Sequence, residues 1–298
     1  MTALAARAHA AVPEELKSRV KRGLRAYGVA TAGVRTLPDF LVIGAKRGGT
    51  TSLYRNLVTH PDVLPLMPSR EKIKGPHYFD TGYHRGHNWY RSHFPTMAER
   101  HYRARASGRR VVSGESSPYY LFHPHAARRA HGLVPSARIV VLLRDPIDRA
   151  YSHWKERTHH GVETLGFEEA IDAEPERLRG ERERLLADER YYSFAHEHFS
   201  YVAQGLYVEP LLRWLRRYPR EQVLVALSED LYADPRRVLD RVVAFLGLAP
   251  HSFPDTRHWN HQPAEPVAPA TRARLAALVA EPNRRLAACL DLELPWEW

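Results

Sequence analysis

The chain has a single cysteine, Cys289, in 298 residues. That excludes an internal disulfide framework and any cysteine-built zinc site, and it fits a reducing compartment. Cys289 sits in a plain helical run, Arg284 to Leu290, and reads as a small buried apolar residue rather than a nucleophile. Long hydrophobic runs are also missing. Residues 1–37 hold no apolar block of signal-peptide or membrane length, because Val12 to Tyr27 is broken by Glu14, Glu15, Lys17, Arg19, Lys21, Arg22 and Arg25. The expectation is a basic leader helix within residues 1–37 that packs on the rest of the protein, no integral membrane segment, and a cytoplasmic location. No repeat or linker-like stretch divides the remainder, so residues 38–298 read as one domain. No strand ends in the acidic pair that a nucleoside-triphosphate enzyme would use with magnesium, and no metal is expected.

Hydrophobic residues make up 44% of the chain, ample for a core at this length. A formal charge of +10 and a pI of 9.8 attract anionic nucleotides, polyanions or anionic lipid. The basic residues are spread as Arg-Arg pairs through amphipathic helices, without an RNA-binding or zinc-finger pattern, so nucleic acid is not the expected partner. Four short apolar runs, Phe40 to Ile43, Val111 to Gly114, Ile139 to Leu143 and Val223 to Ala226, are flanked by helical patterns. Strands alternating with helices predict an α/β fold with a mostly parallel central sheet flanked by helices. Helices are expected up to Val58, over Ala126 to Gly132, from Pro146, over Ser200 to Tyr218, from Asp234 to Leu246 and over Thr271 to Leu290. Glu181 to Arg184 reads as an exposed charged helix, and Pro65 to Pro95 as loop.

The most informative stretch is Phe40-Leu41-Val42-Ile43-Gly44-Ala45-Lys46-Arg47-Gly48-Gly49-Thr50-Thr51-Ser52-Leu53. It reads as buried strand, glycine turn and helix start, a P-loop-like cradle whose backbone N–H groups and helix N-terminus favour an anion. Against the nucleoside-triphosphate pattern G-x-x-x-x-G-K-[ST], the frame from Gly44 to Thr51 fails at one place, where Thr50 stands for the lysine. A loop without that lysine but with Lys46 and Arg47 earlier suits a different phosphate ligand.

A second strand, Ile139 to Leu143, delivers Arg144 to the sheet edge where α/β proteins bind ligands, and Ser152 follows two turns into the next helix. Arg144 can grip a phosphate with Ser152 adding a hydroxyl, or it can pair with Asp145 or Asp148 as structural glue.

Together these elements resemble sulfotransferases that use 3′-phosphoadenosine 5′-phosphosulfate (PAPS), which are built on a P-loop nucleoside triphosphate hydrolase-like fold. The resemblance implies that Arg47, Gly48, Gly49, Thr50, Thr51 and Ser52 hold the 5′-phosphosulfate and that Arg144 and Ser152 hold the 3′-phosphate. It extends to Lys74-Gly75-Pro76-His77-Tyr78-Phe79-Asp80, Trp89-Tyr90, Gly114-Glu115-Ser116-Ser117-Pro118-Tyr119-Tyr120 and Leu294-Pro295-Trp296. These look like the heparan sulfate sulfotransferase branch and its bacterial relatives, over roughly residues 38–298.

Three departures bear on chemistry. The family's lysine before the two glycines is Arg47 here, beside Lys46. Either cation serves electrostatically, but arginine gives up no proton at neutral pH, so Lys46 or another group would have to supply one. The glutamate that heparan-type members carry two residues before the histidine is Gly75, which leaves His77 as leading base, with Glu71 as competitor and Asp80 placed to orient His77 or cap a turn. Ser116 stands where some relatives have a lysine. Near the C-terminus, Trp259 is a candidate to stack on adenine or to pack under its loop.

The resemblance implies transfer of a sulfuryl group from PAPS to a hydroxyl or amine of a small-molecule, glycolipid or oligosaccharide acceptor. The alternatives are a P-loop kinase or ATPase-like enzyme, and a catalytically decayed nucleotide-binding protein. Tyr83, His84, Trp89, Tyr90 and Arg91 either line an acceptor site or pack the cap. Nothing in the sequence sets the oligomeric state.

Overall fold

Among the described residues five strands pair in one sheet: β1 (Phe40–Gly44), β2 (Val63–Leu64), β3 (Val112–Ser116), β4 (Arg138–Leu143) and β5 (Val223–Leu227). The computed structural model of the chain describes residues 14–68, 73–253, 256 and 267–298. The spatial order is β2-β3-β1-β4-β5 and every pairing is parallel, with Phe40 opposite Gly114 on one side and Arg138 on the other. All five residues of β1 are buried. An unbroken apolar run is what a central parallel strand needs, and each aliphatic side chain so buried contributes about 1.5–3 kcal/mol.

Around the sheet lie α1 (Glu14–Ala30), α2 (Thr50–Leu57), α3 (His87–Arg91), α4 (Met97–Ser107), α5 (Ala126–Leu133), α6 (Pro146–His159), α7 (Phe167–Arg177), α8 (Glu181–Ala187), α9 (Phe194–His198), α10 (Val208–Leu215), α11 (Ser228–Ala233), α12 (Pro235–Phe245) and α13 (Pro269–Leu290). Local chemistry fixes the start of α6: Pro146 fills the first helical position, and Asp145 Oδ1 accepts from the N–H groups of Ile147 and Asp148, each at 2.8 Å. Asp234 caps α12 in the same manner. Arg25 of α1 donates to Ser92 Oγ and to the Met67 carbonyl, which fastens that helix to the segment around α3.

The chain order makes β1 the middle of the sheet. From β1 the chain moves out to β2 and β3, then returns to β4 and β5 on the other side. The resulting crevice lies at the carboxyl ends of β1 and β4, where open α/β sheets hold ligands.

Several sequence expectations are corrected. Strands β1 and β5 each run one residue longer than their apolar cores, and β3 extends to Ser116. The two-residue edge strand Val63–Leu64 is too short to leave a periodic signal. Residues 65–95 contain α3 and a 3₁₀ turn over Tyr83–Arg85. Ser200 to Tyr218 is helical only over Val208–Leu215, after a 3₁₀ turn at Ala203–Gly205. Glu181 is turned inward, accepting from Tyr191 OH at 2.8 Å and from Ser193 Oγ, so the charged run is not fully exposed. Cys289 is exposed rather than buried. Tyr90 belongs to the core, stacked on Tyr78 with ring centroids 4.5 Å apart, so it does not line an open acceptor surface.

Candidate functional site

The loop after β1 closes with Gly48 N–H donating to the Ala45 carbonyl at 2.9 Å, while Ser228 Oγ pins the Gly48 carbonyl at 2.7 Å. Gly49 takes φ +82° and turns the chain into α2. That places the N–H groups of the first turn of α2 at the sheet's carboxyl edge. Thr50 and Ser52 are buried, whereas Thr51 is half-buried and its hydroxyl accepts from Lys74 Nζ at 2.8 Å.

Arg47 has φ +70° and His77 φ +52°, two of the three non-glycine residues with positive φ among the described residues. Such backbone costs on the order of 1–3 kcal/mol and persists where surrounding structure holds it, often at functional sites. Both are candidate site residues of the sequence. Arg47 donates through Nε to Ser152 Oγ at 3.0 Å, and Nη1 lies 3.3 Å from Glu156 Oε1. Arg144 reaches the same loop, its Nη1 donating to the Arg47 carbonyl at 3.3 Å. Asp145 and Asp148 are taken up by helix capping and by Arg272, so the structural-glue reading of Arg144 is not realised with them. The cradle, Arg144 and Ser152 therefore converge at one crevice, though 97 and 105 residues separate the partners along the chain.

Two lysines border the cradle. Burial, with Arg157 adding to it, pulls Lys46 down to about 8, and its Nζ donates to the Glu197 carbonyl at 3.1 Å. Burial also pulls Lys74 down to about 8. An ammonium with that pKa can release a proton near neutrality, which a guanidinium cannot.

His77 stands on a separate segment beside the end of β3. Nδ1 of its ring is 2.9 Å from Asp80 Oδ2, and the side chains are 37% and 0% exposed. Burial alone lowers the imidazole, but Asp80 outweighs it and the net shift is upward. This contact leaves Nε2 as the ring nitrogen for chemistry. His77 N–H donates to Ser117 Oγ at 3.1 Å, and Ser117 Oγ donates in turn to Glu115 Oε2 at 2.6 Å. Glu115 also accepts from Tyr120 OH at 2.8 Å and Tyr90 OH at 3.1 Å, and burial raises it to about 7.

Gly75 has a steric reason. A Cβ there would approach the Ser116 carbonyl and Ser117 Oγ more closely than real Cβ atoms do. The segment is held in place by Ser116 N–H donating to the Lys74 carbonyl at 2.7 Å. A glutamate does not fit on this backbone. Glu71 and Trp259 lie outside the described residues.

Lys74, Glu115 and Glu156 were not singled out as site residues from sequence. Lys74 had a usable signal, since lysine is scarce among the 44 basic residues and this one sits two positions before Pro76-His77. Glu115 lies in the Gly114 to Tyr120 segment of the resemblance, but its type alone does not reveal what it touches, and Glu156 carries no signal because only the packing of α6 against the loop brings it to Arg47.

Fold and site define an α/β protein of P-loop-like architecture with a glycine loop rimmed by cations at the β1–β4 crevice. The family described as "Sulfotransferase domain" matches residues 37–262. The chain is 35% identical over 225 residues to human bifunctional heparan sulfate N-deacetylase/N-sulfotransferase 3, covering 72% of this chain and 23% of that protein. It is 32% identical over 248 residues to mouse heparan sulfate glucosamine 3-O-sulfotransferase 6, covering 82% of this chain and 63% of that one. A sulfotransferase structure from Alicyclobacillus acidocaldarius matches with a TM-score of 0.64 at 32% identity, over 87% of this chain and 98% of that chain. The chain belongs to the sulfotransferase family, and so to the transferases. Among the described residues no helix is long and apolar enough to cross a membrane.

Proposed function

We propose that the protein transfers a sulfuryl group from PAPS to a hydroxyl or amine of a carbohydrate or small-molecule acceptor. The observation that carries this reading is the convergence of Arg47, Ser152 and Arg144 on one loop at the β1–β4 crevice. The donor set suits the nucleotide. First-turn N–H groups of α2 and the cations Arg47, Lys46 and Lys74 fit a 5′-phosphosulfate, while Arg144 and Ser152 fit a 3′-phosphate.

PAPS, when bound, supplies the sulfuryl group and a 5′-phosphate as leaving group. The protein's part is to remove one proton and balance moving charge. His77 Nε2 accepts the acceptor's proton, with Asp80 holding Nδ1–H and stabilising the imidazolium that forms. The cradle cations and N–H groups stabilise negative charge as it grows on the leaving side, and preorganised donors of this kind are worth several kcal/mol. Lys46 and Lys74, both near 8, are the groups able to give that side a proton. The heparan sulfate relatives favour an anionic sugar acceptor, which the basic charge of the chain suits.

The test is calorimetric titration with 3′-phosphoadenosine 5′-phosphate, without magnesium, on wild type and Arg144→Ala. Binding that the variant weakens by about 1.5–3 kcal/mol, the range for a charged hydrogen bond, supports the reading. Absence of binding in wild type, together with magnesium-dependent binding of ATP, would sink it in favour of a kinase-like enzyme.

A further inference from the structure

Glu156 lies four residues after Ser152 on α6, one turn along the same face. Its Oε1 is 3.3 Å from Arg47 Nη1, and the two side chains are largely withdrawn from solvent, at 23% and 14% exposure. Its Oε2 is 3.0 Å from Nη2 of Arg157. The Nη1 of Arg157 donates to His198 Nδ1 at 2.8 Å, and His198 Nε2 is 3.2 Å from Tyr192 OH. Arg47 Nε donates to Ser152 Oγ. The arginine of the phosphate cradle is thus matched by a carboxylate and a hydroxyl, both from α6.

To a guanidinium, a carboxylate and a phosphate are competing partners of the same kind, each accepting charge-assisted hydrogen bonds. Two anions on one partly buried guanidinium repel each other strongly, because the effective dielectric there is far below that of water. We infer that Glu156 is a built-in counter-anion: an arriving nucleotide phosphate competes with it for the charge of Arg47, so Glu156 sets how tightly the bisphosphate nucleotide is held and how fast it leaves. This rests on the sulfotransferase reading of the site. The exchange conserves charge pairing. Arg47 trades carboxylate for phosphate on binding and takes the carboxylate back on release, while Arg157 keeps Glu156 close enough to return. His198, which Arg157 contacts, lies on α9, whose Glu197 carbonyl holds Lys46, and the charge of Glu156 itself favours the Lys46 ammonium.

The experiment is titration of wild type and Glu156→Gln with 3′-phosphoadenosine 5′-phosphate, without magnesium, together with stopped-flow measurement of its dissociation. Glutamine keeps the shape and removes the competing charge. The expected result is binding tighter by about tenfold, with most of the change in a slower off-rate. Glu156→Asp, which keeps the charge but draws it back by one methylene, should fall between the two and serves if Glu156→Gln does not fold. The gain should vanish in an Arg47→Gln background, because the coupling is between these two side chains. Affinity unchanged within twofold, or weaker, in Glu156→Gln overturns the inference and leaves the proposed function standing. So does an equal gain with and without Arg47, which would mark a general charge effect. Failure of wild type to bind the nucleotide at all overturns both.

Discussion

Asp80 Oδ2 and His77 Nδ1 are 2.9 Å apart, and the carboxylate that makes this contact is completely buried. Burial by itself raises a carboxyl, yet the pull of His77 wins and Asp80 sits below its ordinary 3.8. The imidazole in turn sits above 6.5. In the proposed role of base His77 must be neutral, so turnover is expected to fall as pH drops through its raised pKa. Asp80→Asn should move that acid limb to lower pH and cut kcat by about 10²-fold or more. Linkage adds a second readout. The Asp80 contribution to stability is present above 3.8 and lost as pH falls through the folded value. The His77 contribution is present below 6.5 and lost as pH rises through the folded value. The stability lost in Asp80→Asn should therefore be greatest between these limits. An unmoved acid limb would reduce Asp80 to a turn cap for Thr81.

Restoring the missing glutamate is expected to fail. Gly75 lies against Ser116 and Ser117, so any Cβ there forces the segment off β3. Gly75→Ala should cost about 1–3 kcal/mol in urea unfolding, the range for overpacking. Gly75→Glu should cost at least as much and bring no gain in kcat. A rise in kcat with an unchanged unfolding midpoint would show that the segment moves freely and that the glycine is incidental.

The legible parts of this protein are those in which neighbours in sequence are neighbours in the fold. The strand, glycine turn and helix from Phe40 to Leu53 form a local unit, and the interval from Arg144 to Ser152 is two turns of one helix. Both were readable because strand and helix periodicity fix where such residues point. The misses have a different cause. Arg47 contacts Glu156 and Glu115 contacts Tyr90 through packing of segments distant in the chain, and the local contacts of Glu115 with Ser117 and Tyr120 lie in an irregular turn after β3, so neither leaves a periodic trace. The helix expected over Ser200 to Tyr218 fails for a physical reason. Its first half is needed as irregular chain whose Val202 and Ala203 N–H groups bind the buried Glu174 carboxylate.

Lys74 separates stability from binding. Its ammonium is held near 8 rather than 10.5, so burial of the charge costs the fold stability at neutral pH; this penalty is relieved as pH rises from about 8 towards 10.5. Lys74→Met should accordingly leave the thermal midpoint at pH 7 unchanged or higher. The same variant loses the cation beside Thr51, and 3′-phosphoadenosine 5′-phosphate should bind about tenfold more weakly, a change of about 1.4 kcal/mol. In wild type, affinity should decline as pH rises through about 8, and in Lys74→Met the decline should be shallower, with Lys46 supplying the remainder. Equal pH dependence in the two proteins would take Lys74 out of the phosphate site.

Glu115 offers the sharpest pH signature. Its carboxylate receives three hydroxyl hydrogen bonds, from Ser117, Tyr120 and Tyr90, and these favour the ionised form. Burial nonetheless dominates and holds the group at about 7 against an ordinary 4.5. Between those values the folded protein keeps a proton that the unfolded chain has given up, so stability must fall as pH rises from 4.5 to about 7 and then level off. A shift from 4.5 to 7 corresponds to about 3 kcal/mol, at about 1.4 kcal/mol per pH unit. Glu115→Gln cannot titrate, and its unfolding free energy should lack this decline, whatever its absolute level. The quantity to measure is the difference between the two proteins in urea unfolding at pH 5 and pH 7.5, which should move in the variant's favour as pH rises. Parallel curves would mean that the three hydroxyls outweigh burial and keep Glu115 ionised throughout. In that case Ser117 would hold the His77 backbone against a permanent anion, and the variant should lose activity at every pH rather than stability at one end.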